Sequence, residues 1–422
     1  VTHCWKASYT PPKKEKLSPQ ISSLVPEIIV TTPNFSWILD GNCETWQNLG
    51  LWQYNINKGR NYLTQTEKEK VHGLTDKLPT KQDKINTLYQ YLQKNKRYIN
   101  VAINYGGLQT LPAEYVCNNG YGDCKALSNY MVTLLKETGI KSYYTLVKAG
   151  DENEPIETTI PALQFNHVIV CVPMEKDSCW LECTSQSYPA GYLGTFTQNR
   201  YALLIDEAGG QLVRTPAMTD KDCLFERTTR IDVQNQKSTV SMNFYGSDYE
   251  YINSIEKNAP AQYHEYILDH YLFSSLDVKE WQFKPCQNKA STTLEVKGDI
   301  QISMLGSGSS MIYSPIALNI PKLEKPATRT LPVNIQLPEI TRDTTIVEFK
   351  NAYKSITNKP QQKIETPYGS YEKQIAINNN QLIIVKNYKL NKGFYDLKEY
   401  GAFYEFIQSV RKADAEKIIL IP

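Results

Sequence analysis

Apolar residues along this chain fall first at helical spacing and then at strand spacing. Ile85, Leu88, Tyr89 and Leu92 recur at i, i+3, i+4 and i+7, one face of an amphipathic helix. Thr80-Lys81-Gln82-Asp83 in front of them resembles a capping box, with Asp83 in the usual Glu/Gln place. Upstream, Trp46, Leu49, Leu51 and Trp52 predict an aromatic, helical entry. Gly106-Gly107, Pro112 and Gly120 mark a loop, after which a helix is predicted from about Asp123 to Thr138. Leu127, Met131, Leu134 and Leu135 form its stripe and Gly139 its C-terminal cap. The texture then changes to strand-like runs at Tyr143–Val147, Phe165–Val172, Trp180–Thr184 and Tyr201–Ile205, the last closed by Gly209-Gly210. Helices followed by an antiparallel-looking sheet is an α+β pattern.

Beyond about residue 220 the chain is β-rich. Thr229–Tyr245, Thr293–Met304, Thr345–Tyr353 and Tyr371–Tyr388 alternate apolar and polar positions. One helix is predicted near Tyr263, Tyr266 and Ile267, and a last one carries Tyr400, Phe403, Tyr404, Ile407 and Val410. This half is expected to be a β-sandwich-like domain. Residues 1–42 hold Pro11-Pro12, Pro19, Pro26 and Pro33 with short extended pieces such as Ile28-Ile29-Val30, and are expected to be a tail leaving a preceding domain. The chain thus divides into 1–42, 43–220 and 221–422, consistent with 422 residues at ~100–200 per domain.

Composition narrows the function classes. With 41% hydrophobic and 21% charged residues the chain is globular in character, and its net charge is only +2. Lysines and acids are interleaved, which disfavours nucleic acid as a partner. No run approaches the ~18 apolar residues a membrane span needs. The start, Val1-Thr2-His3-Cys4-Trp5, lacks an initiator Met and a leader, so the natural N-terminus and any export signal are expected to lie outside it. The nine cysteines, Cys4, Cys43, Cys117, Cys124, Cys171, Cys179, Cys183, Cys223 and Cys286, are dispersed and allow disulfides without requiring any.

The candidate chemistry centres on Gly120-Tyr121-Gly122-Asp123-Cys124-Lys125. Glycines permit a tight turn and a helix begins directly afterwards, which puts Cys124 at a helix N-terminus. There the unpaired N–H groups and the helix dipole favour negative charge, and so the nucleophilic thiolate. The same N–H groups could bind an oxyanion. A thiol nucleophile needs a base. Of five histidines, His3 is in the tail, His72 in a charged helix, and His264 and His270 in the β-rich half. His167 alone lies in a strand of the same domain, on a face shared by alternation with Phe165, Ile169 and Cys171. The next strand offers Glu182, on one face with Trp180, to hold the second ring nitrogen.

Each residue also has a plainer reading. A lone Cys at a helix start is usually a small buried residue, a strand His a satisfied core histidine, and Glu182 a rim charge. The order Cys, His, acid favours chemistry. Asp123 is expected to be the helix N-cap, and Lys125 a solvated first-turn lysine. Cys171, Cys179 and Cys183 have no paired zinc spacing, so no metal is expected. Cys179 and Cys183 are assigned to packing or to half of a disulfide, and Tyr400 and Tyr404 to the core.

Tyr-Gly-Asp-Cys-Lys before a helix, Asn-His-Val on a strand and Trp-Leu-acid-x-Thr on the next resemble the papain-like core of the transglutaminase-like superfamily, over residues 45–217. More narrowly, the chain is similar to multi-domain Bacteroidetes proteins that flank this core with β-rich domains and are described as proteases. Thr215-Pro216 and the closing strand fit that family, and Phe403–Ile407 with Ala413-Asp414-Ala415 resembles the end of its C-terminal domain. Residues 1–40 look like the exit from its N-terminal β domain. The resemblance implies Cys124 as nucleophile, His167 as general base and then acid, and Glu182 as orienting acid. It departs at Glu182, where the family has Asp, one methylene shorter. Tyr98 and Gln109 are the upstream candidates for an auxiliary oxyanion donor.

The function expected is thiol-dependent acyl transfer on peptide or protein amides, without a cofactor: hydrolysis if water resolves the acyl-enzyme, transamidation if an amine does. The alternative is a degenerate enzyme acting as a binding or scaffold protein. The resemblance implies a periplasmic, cell-envelope or extracellular location. Loops 106–119 and 149–163 are the candidates for substrate specificity.

Overall fold

A computed structural model describes residues 4, 6, 8, 10, 12–100, 107–150, 155–258, 260–286, 288–302, 310–356 and 358–421, with backbone only at 22 and over 255–264. The chain forms two compact units, one of residues 27–217 with 287–289 and one of 1–26, 218–286 and 290–422.

The first unit begins with a hairpin of β1 (Asn34–Trp37) and β2 (Leu39–Asn42). Three helices follow: α1 (Trp46–Asn57), α2 (Gln65–Thr75) and α3 (Lys81–Asn95). Each starts behind a threonine, Thr45, Thr64 and Thr80, whose hydroxyl accepts a backbone N–H of the first turn. Such a cap contributes about 1 kcal/mol. At Thr80 the reciprocal contact differs from a full box. The Asp83 carboxylate accepts from the Thr80 hydroxyl at 2.6 Å.

Two short strands, β3 (Arg97–Tyr98) and β4 (Tyr121–Gly122), pair in parallel around α4 (Ala113–Asn119). Then comes α5 (Cys124–Glu137). The rest is a five-stranded antiparallel sheet of β5 (Tyr143–Val147), β6 (His167–Pro173), β7 (Ser178–Leu181), β8 (Tyr201–Asp206) and β9 (Gly209–Arg214), in the order β7-β6-β5-β8-β9. Helix α5 is the hub of the core. Leu127, Tyr130, Met131, Leu134 and Leu135 pack with Ile85, Leu88, Tyr89 and Leu92 of α3 and with Val170 and Val172 of β6. At about 1.5–3 kcal/mol per large apolar side chain, that burial fixes the helix against the sheet.

The second unit is built on an eight-stranded sheet. Its spatial order is Leu276–Pro285, Ser291–Ile300, Lys237–Tyr245, Leu224–Asp232, Glu339–Glu348, Gln381–Leu390, Gly369–Asn378 and Gln361–Thr366. The Leu224–Asp232 and Glu339–Glu348 strands pair in parallel. A three-stranded sheet places Tyr313, Ile418 and Leu420 in one apolar cluster with Ile231, Val347 and Ile384 of the large sheet, a sandwich-like packing. The last helix, Tyr400–Asp414, lays Phe403, Ile407 and Val410 against Tyr371, Tyr388 and Leu390. Its end is held where the Asp414 carboxylate accepts from buried Lys386 at 2.7 Å and from Leu318 N at 2.8 Å.

Two details differ from the sequence expectation. The single helix expected near Tyr263 is two helices, Gly246–Asn258 and Pro260–His270. Proline fits the first position of a helix, where its missing N–H has no intrahelical acceptor to lose. Residues 12–18, read as tail, carry specific contacts within the second unit. The Glu15 carboxylate accepts from Thr330 N at 2.9 Å and Leu331 N at 3.0 Å, and the Leu17 carbonyl accepts from Asn334 N at 2.8 Å. No described helix is long and apolar enough to cross a membrane.

Candidate active site

The turn before α5 is shaped by two glycines with different tasks. Gly120 ends α4 with φ +73°, the left-handed conformation glycine adopts at no steric cost. At Gly122 a Cβ would stand 2.8 Å from the Ala126 methyl, so nothing larger fits. Backbone bonds from Arg97 N to Gly120 O and from Ile99 N to Gly122 O, both 2.9 Å, lock this turn to the end of α3. Asp123 is the N-cap, its Oδ1 accepting from Ala126 N at 2.9 Å. Cys124 is therefore the first residue of the helix, among first-turn N–H groups that have no intrahelical acceptor. It is 5% exposed.

Lys125 departs from expectation. Instead of a solvated lysine it is 3% exposed, and its ammonium donates to Asp123 Oδ2.

The histidine arrives from the sheet. His167 opens β6, where it pairs with Val147 of β5. The Ser128 hydroxyl of α5 donates to Val168 O at 3.1 Å and ties this strand to the helix carrying Cys124. Just ahead, the Asn166 amide accepts from Ala149 N at 2.7 Å and donates to Ala149 O at 2.9 Å, extending the ladder with a side chain. Because the strand begins at His167, alternation does not reach Phe165, which packs on Trp46 at a ring separation of 5.8 Å. Ile169 and Cys171 do share a cluster with Trp180, as the alternation predicts.

Glu182 lies just beyond β7, not in a strand running to Thr184. The chain turns there, Ser185 N donating to Glu182 O at 3.1 Å, and the Tyr89 hydroxyl donates to the same carbonyl at 2.8 Å. From this turn both carboxylate oxygens reach His167 Nε2, at 3.1 and 3.0 Å. Oε1 also accepts from Thr184 N at 3.1 Å and from the Thr184 hydroxyl at 2.5 Å.

These contacts set the charges. Burial, the largest single influence on His167, favours its neutral form. The Glu182 charge, a hydrogen bond to Cys124 and the bonds to Glu182 overcome it and push the imidazole up from 6.5 to about 10. Burial likewise opposes ionisation of Glu182, yet the His167 charge and the bonds from His167 and Thr184 hold its carboxyl below the usual range.

Three aromatic groups complete the surroundings. Phe196, itself 39% exposed, stands edge-on to the imidazole at 5.6 Å. The Tyr98 phenol is pushed up to about 12 by burial, then by Cys124, Asp123 and Glu182, which places it beside the same groups. Burial, with Cys124 and Asp123, raises Tyr144 further. Gln109 is engaged elsewhere, donating to Ile56 O at 2.5 Å and accepting from Arg60 at 2.6 Å. Of the two upstream candidates, Tyr98 is the one at the thiol.

His72 is exposed and bonds Asp76 and Glu137. His3, the His264 side chain, Gly106 and residues 151–154 of the specificity loops lie outside the described residues. All nine cysteines are free thiols, and among the described residues no group of three or more His, Cys, Asp or Glu could hold a metal. Lys125 and Phe196 were missed by sequence reasoning. Only the apolar surroundings of α5 hint at a buried Lys125, and nothing local hints at Phe196.

Comparison with known proteins agrees with this architecture. The transglutaminase-like superfamily model matches residues 68–189, and a domain of unknown function, DUF3858, matches residues 309–420. A solved structure from Parabacteroides distasonis, named a "putative protease", superposes with a TM-score of 0.54 at 13% identity. The match covers 88% of this chain and 59% of that protein, so the chain spans less than two thirds of it. At that identity the likeness is one of fold. A search of the curated proteins finds no match. The chain carries a transglutaminase-like superfamily core, joined to a C-terminal β-rich region that includes a DUF3858 domain.

Proposed function

We propose that this protein is a thiol-dependent acyl-transfer enzyme that hydrolyses amide bonds in peptides or proteins. Cys124 is the nucleophile, His167 the general base and then acid, and Glu182 the group that orients the imidazole. The reading is carried by one observation: a buried imidazole whose Nε2 is held by the Glu182 carboxylate and whose charge is raised in part by the nearby Cys124. His167 holds the thiol proton as an imidazolium while the thiolate Sγ bonds to the amide carbon. The tetrahedral intermediate expels the amine, whose nitrogen takes the proton back from His167 as the C–N bond breaks. Water then gives a proton to His167 and attacks the thioester, the C–S bond breaks, and the carboxylic product leaves. First-turn N–H groups of α5 supply charge stabilisation for the oxyanion. A primary amine in place of water would give transamidation with the same groups.

The low exposure of Cys124 favours a second reading, a binding or scaffold protein with an idle centre. The two separate in an assay of the purified chain against a peptide library, beside Cys124→Ala. The enzyme reading expects cleavage lost in the variant. Equal product from both proteins, or none from either, would leave the scaffold reading.

A further inference from the structure

The start of α5 contains an electrostatic conflict. Asp is among the best N-caps, and Asp123 caps this helix. Its carboxylate also stands one residue from the sulfur that, on the proposed function, must become an anion. A neighbouring like charge disfavours ionisation, and a negative cap offsets the positive end of the helix dipole that would otherwise favour it. The tyrosines Tyr98 and Tyr144 each interact with both Cys124 and Asp123, so the carboxylate acts in the thiol's own surroundings.

Lys125 is costly where it stands. Burying an ammonium is unfavourable, and a cation in the first turn faces the wrong end of the dipole. An apolar side chain would serve this packing position at less cost. Yet Lys125 is 3% exposed, and among the described residues the one bond its ammonium makes is to Asp123 Oδ2, the oxygen the cap does not use. The pair is neutral as a whole and leaves the cap intact.

We infer that Lys125 is a positioning residue that cancels the charge of the capping Asp123, so that a thiolate can form at Cys124. The inference rests on the acyl-transfer reading and deepens it. Cys124 is then faced by the imidazolium of His167 from β6, itself paired with the Glu182 carboxylate, and by the neutral phenols of Tyr98 from β3 and Tyr144 from β5. Asp123 and Lys125 on its own helix contribute no net charge. Lys125 does not touch the substrate; it acts through Asp123.

The test is the pH dependence of Cys124 alkylation by iodoacetamide in the full chain, read by mass spectrometry of the peptide holding Cys124. Lys125→Met should slow alkylation at pH 7 about tenfold and move its half-maximum to higher pH. Lys125→Arg should stay near wild type. Asp123→Asn, which keeps the cap, should speed alkylation, and Asp123→Asn with Lys125→Met should recover most of the lost rate. Recovery in the double variant separates charge cancellation from damaged packing. An unchanged rate in Lys125→Met, or a double variant as slow as the single one, overturns the inference. Should Lys125→Met not fold, a slower Asp123→Asn would overturn it alone. A wild-type rate no higher than that of an ordinary thiol would instead remove the enzyme reading, and this one with it.

Discussion

His167 Nε2 stands 3.0 and 3.1 Å from the two carboxylate oxygens of Glu182, and one of those oxygens is shared with both the amide and the hydroxyl of Thr184. The acid is thus gripped from its own turn before it meets the imidazole. The glutamate stands just past the end of β7 at Leu181, and both its oxygens reach the imidazole.

The pair sets the alkaline limit of activity. With His167 pushed up to about 10, the imidazolium needed for leaving-group protonation persists far above pH 6.5. The expected kcat/KM profile on a peptide substrate therefore falls only near pH 10. Glu182→Gln removes the main charge that raises His167, so that limb should move toward 6.5, with kcat down on the order of 10²–10⁴-fold. A limb that stays in place would show that Glu182 does not govern the imidazole.

The same pair contributes to stability in a defined window. The raised His167 stabilises the fold fully below pH 6.5, and this is lost as pH rises through about 10. The depressed Glu182 stabilises it above about pH 4.5, and this is lost as pH falls through the folded value. The melting-temperature gap between wild type and Glu182→Gln should be widest from pH 4.5 to 6.5 and narrow toward pH 10. A gap that widens above pH 8 would reverse the assigned sign.

Gly122→Ala tests the turn. The added methyl would stand 2.8 Å from the Ala126 methyl, inside the first turn of α5. Overpacking of that kind costs about 1–3 kcal/mol. Denaturant titration should show that loss, and Cys124 alkylation should slow as the helix start shifts. A neutral substitution would mean that the turn relaxes freely.

Asn166→Ala tests the lead-in to His167. It strips partners from both backbone groups of Ala149. The expected loss is about 1–3 kcal/mol in stability, with faster amide exchange at Ala149. Asn166→Asp can still accept from Ala149 N but cannot donate to its carbonyl, so it should fall between the two. If it matched Ala, the bond to Ala149 N would be carrying little.

Much of this was legible in the sequence, for local reasons. Helix α5, its stripe and its Asp123 cap follow from Gly-Tyr-Gly-Asp-Cys and the spacing of Leu127, Met131 and Leu134. The strand positions of Val168, Val170 and Val172 follow from alternation. What escaped depends on tertiary contact. Glu182 ends in a turn because Tyr89, far away on α3, holds its carbonyl. Lys125 is buried because α5 is enclosed nearly all round, which its charge does not announce. Phe196 reaches His167 from a helical turn, Gly194–Thr197, docked by Arg200, whose guanidinium donates to Lys148 O at 3.0 Å and to Gly150 O. That Tyr98, rather than Gln109, lies beside Cys124 needed the β3–β4 pairing, which two-residue strands do not signal.

The most direct measurement is intact-protein and peptide mass spectrometry of the chain quenched during turnover of a reactive acyl ester. The expected result is an acyl group on Cys124, on none of the other eight thiols, and lost in His167→Ala. An unmodified Cys124 at every time point, or acylation as fast without the imidazole, would contradict a Cys124–His167 catalytic centre.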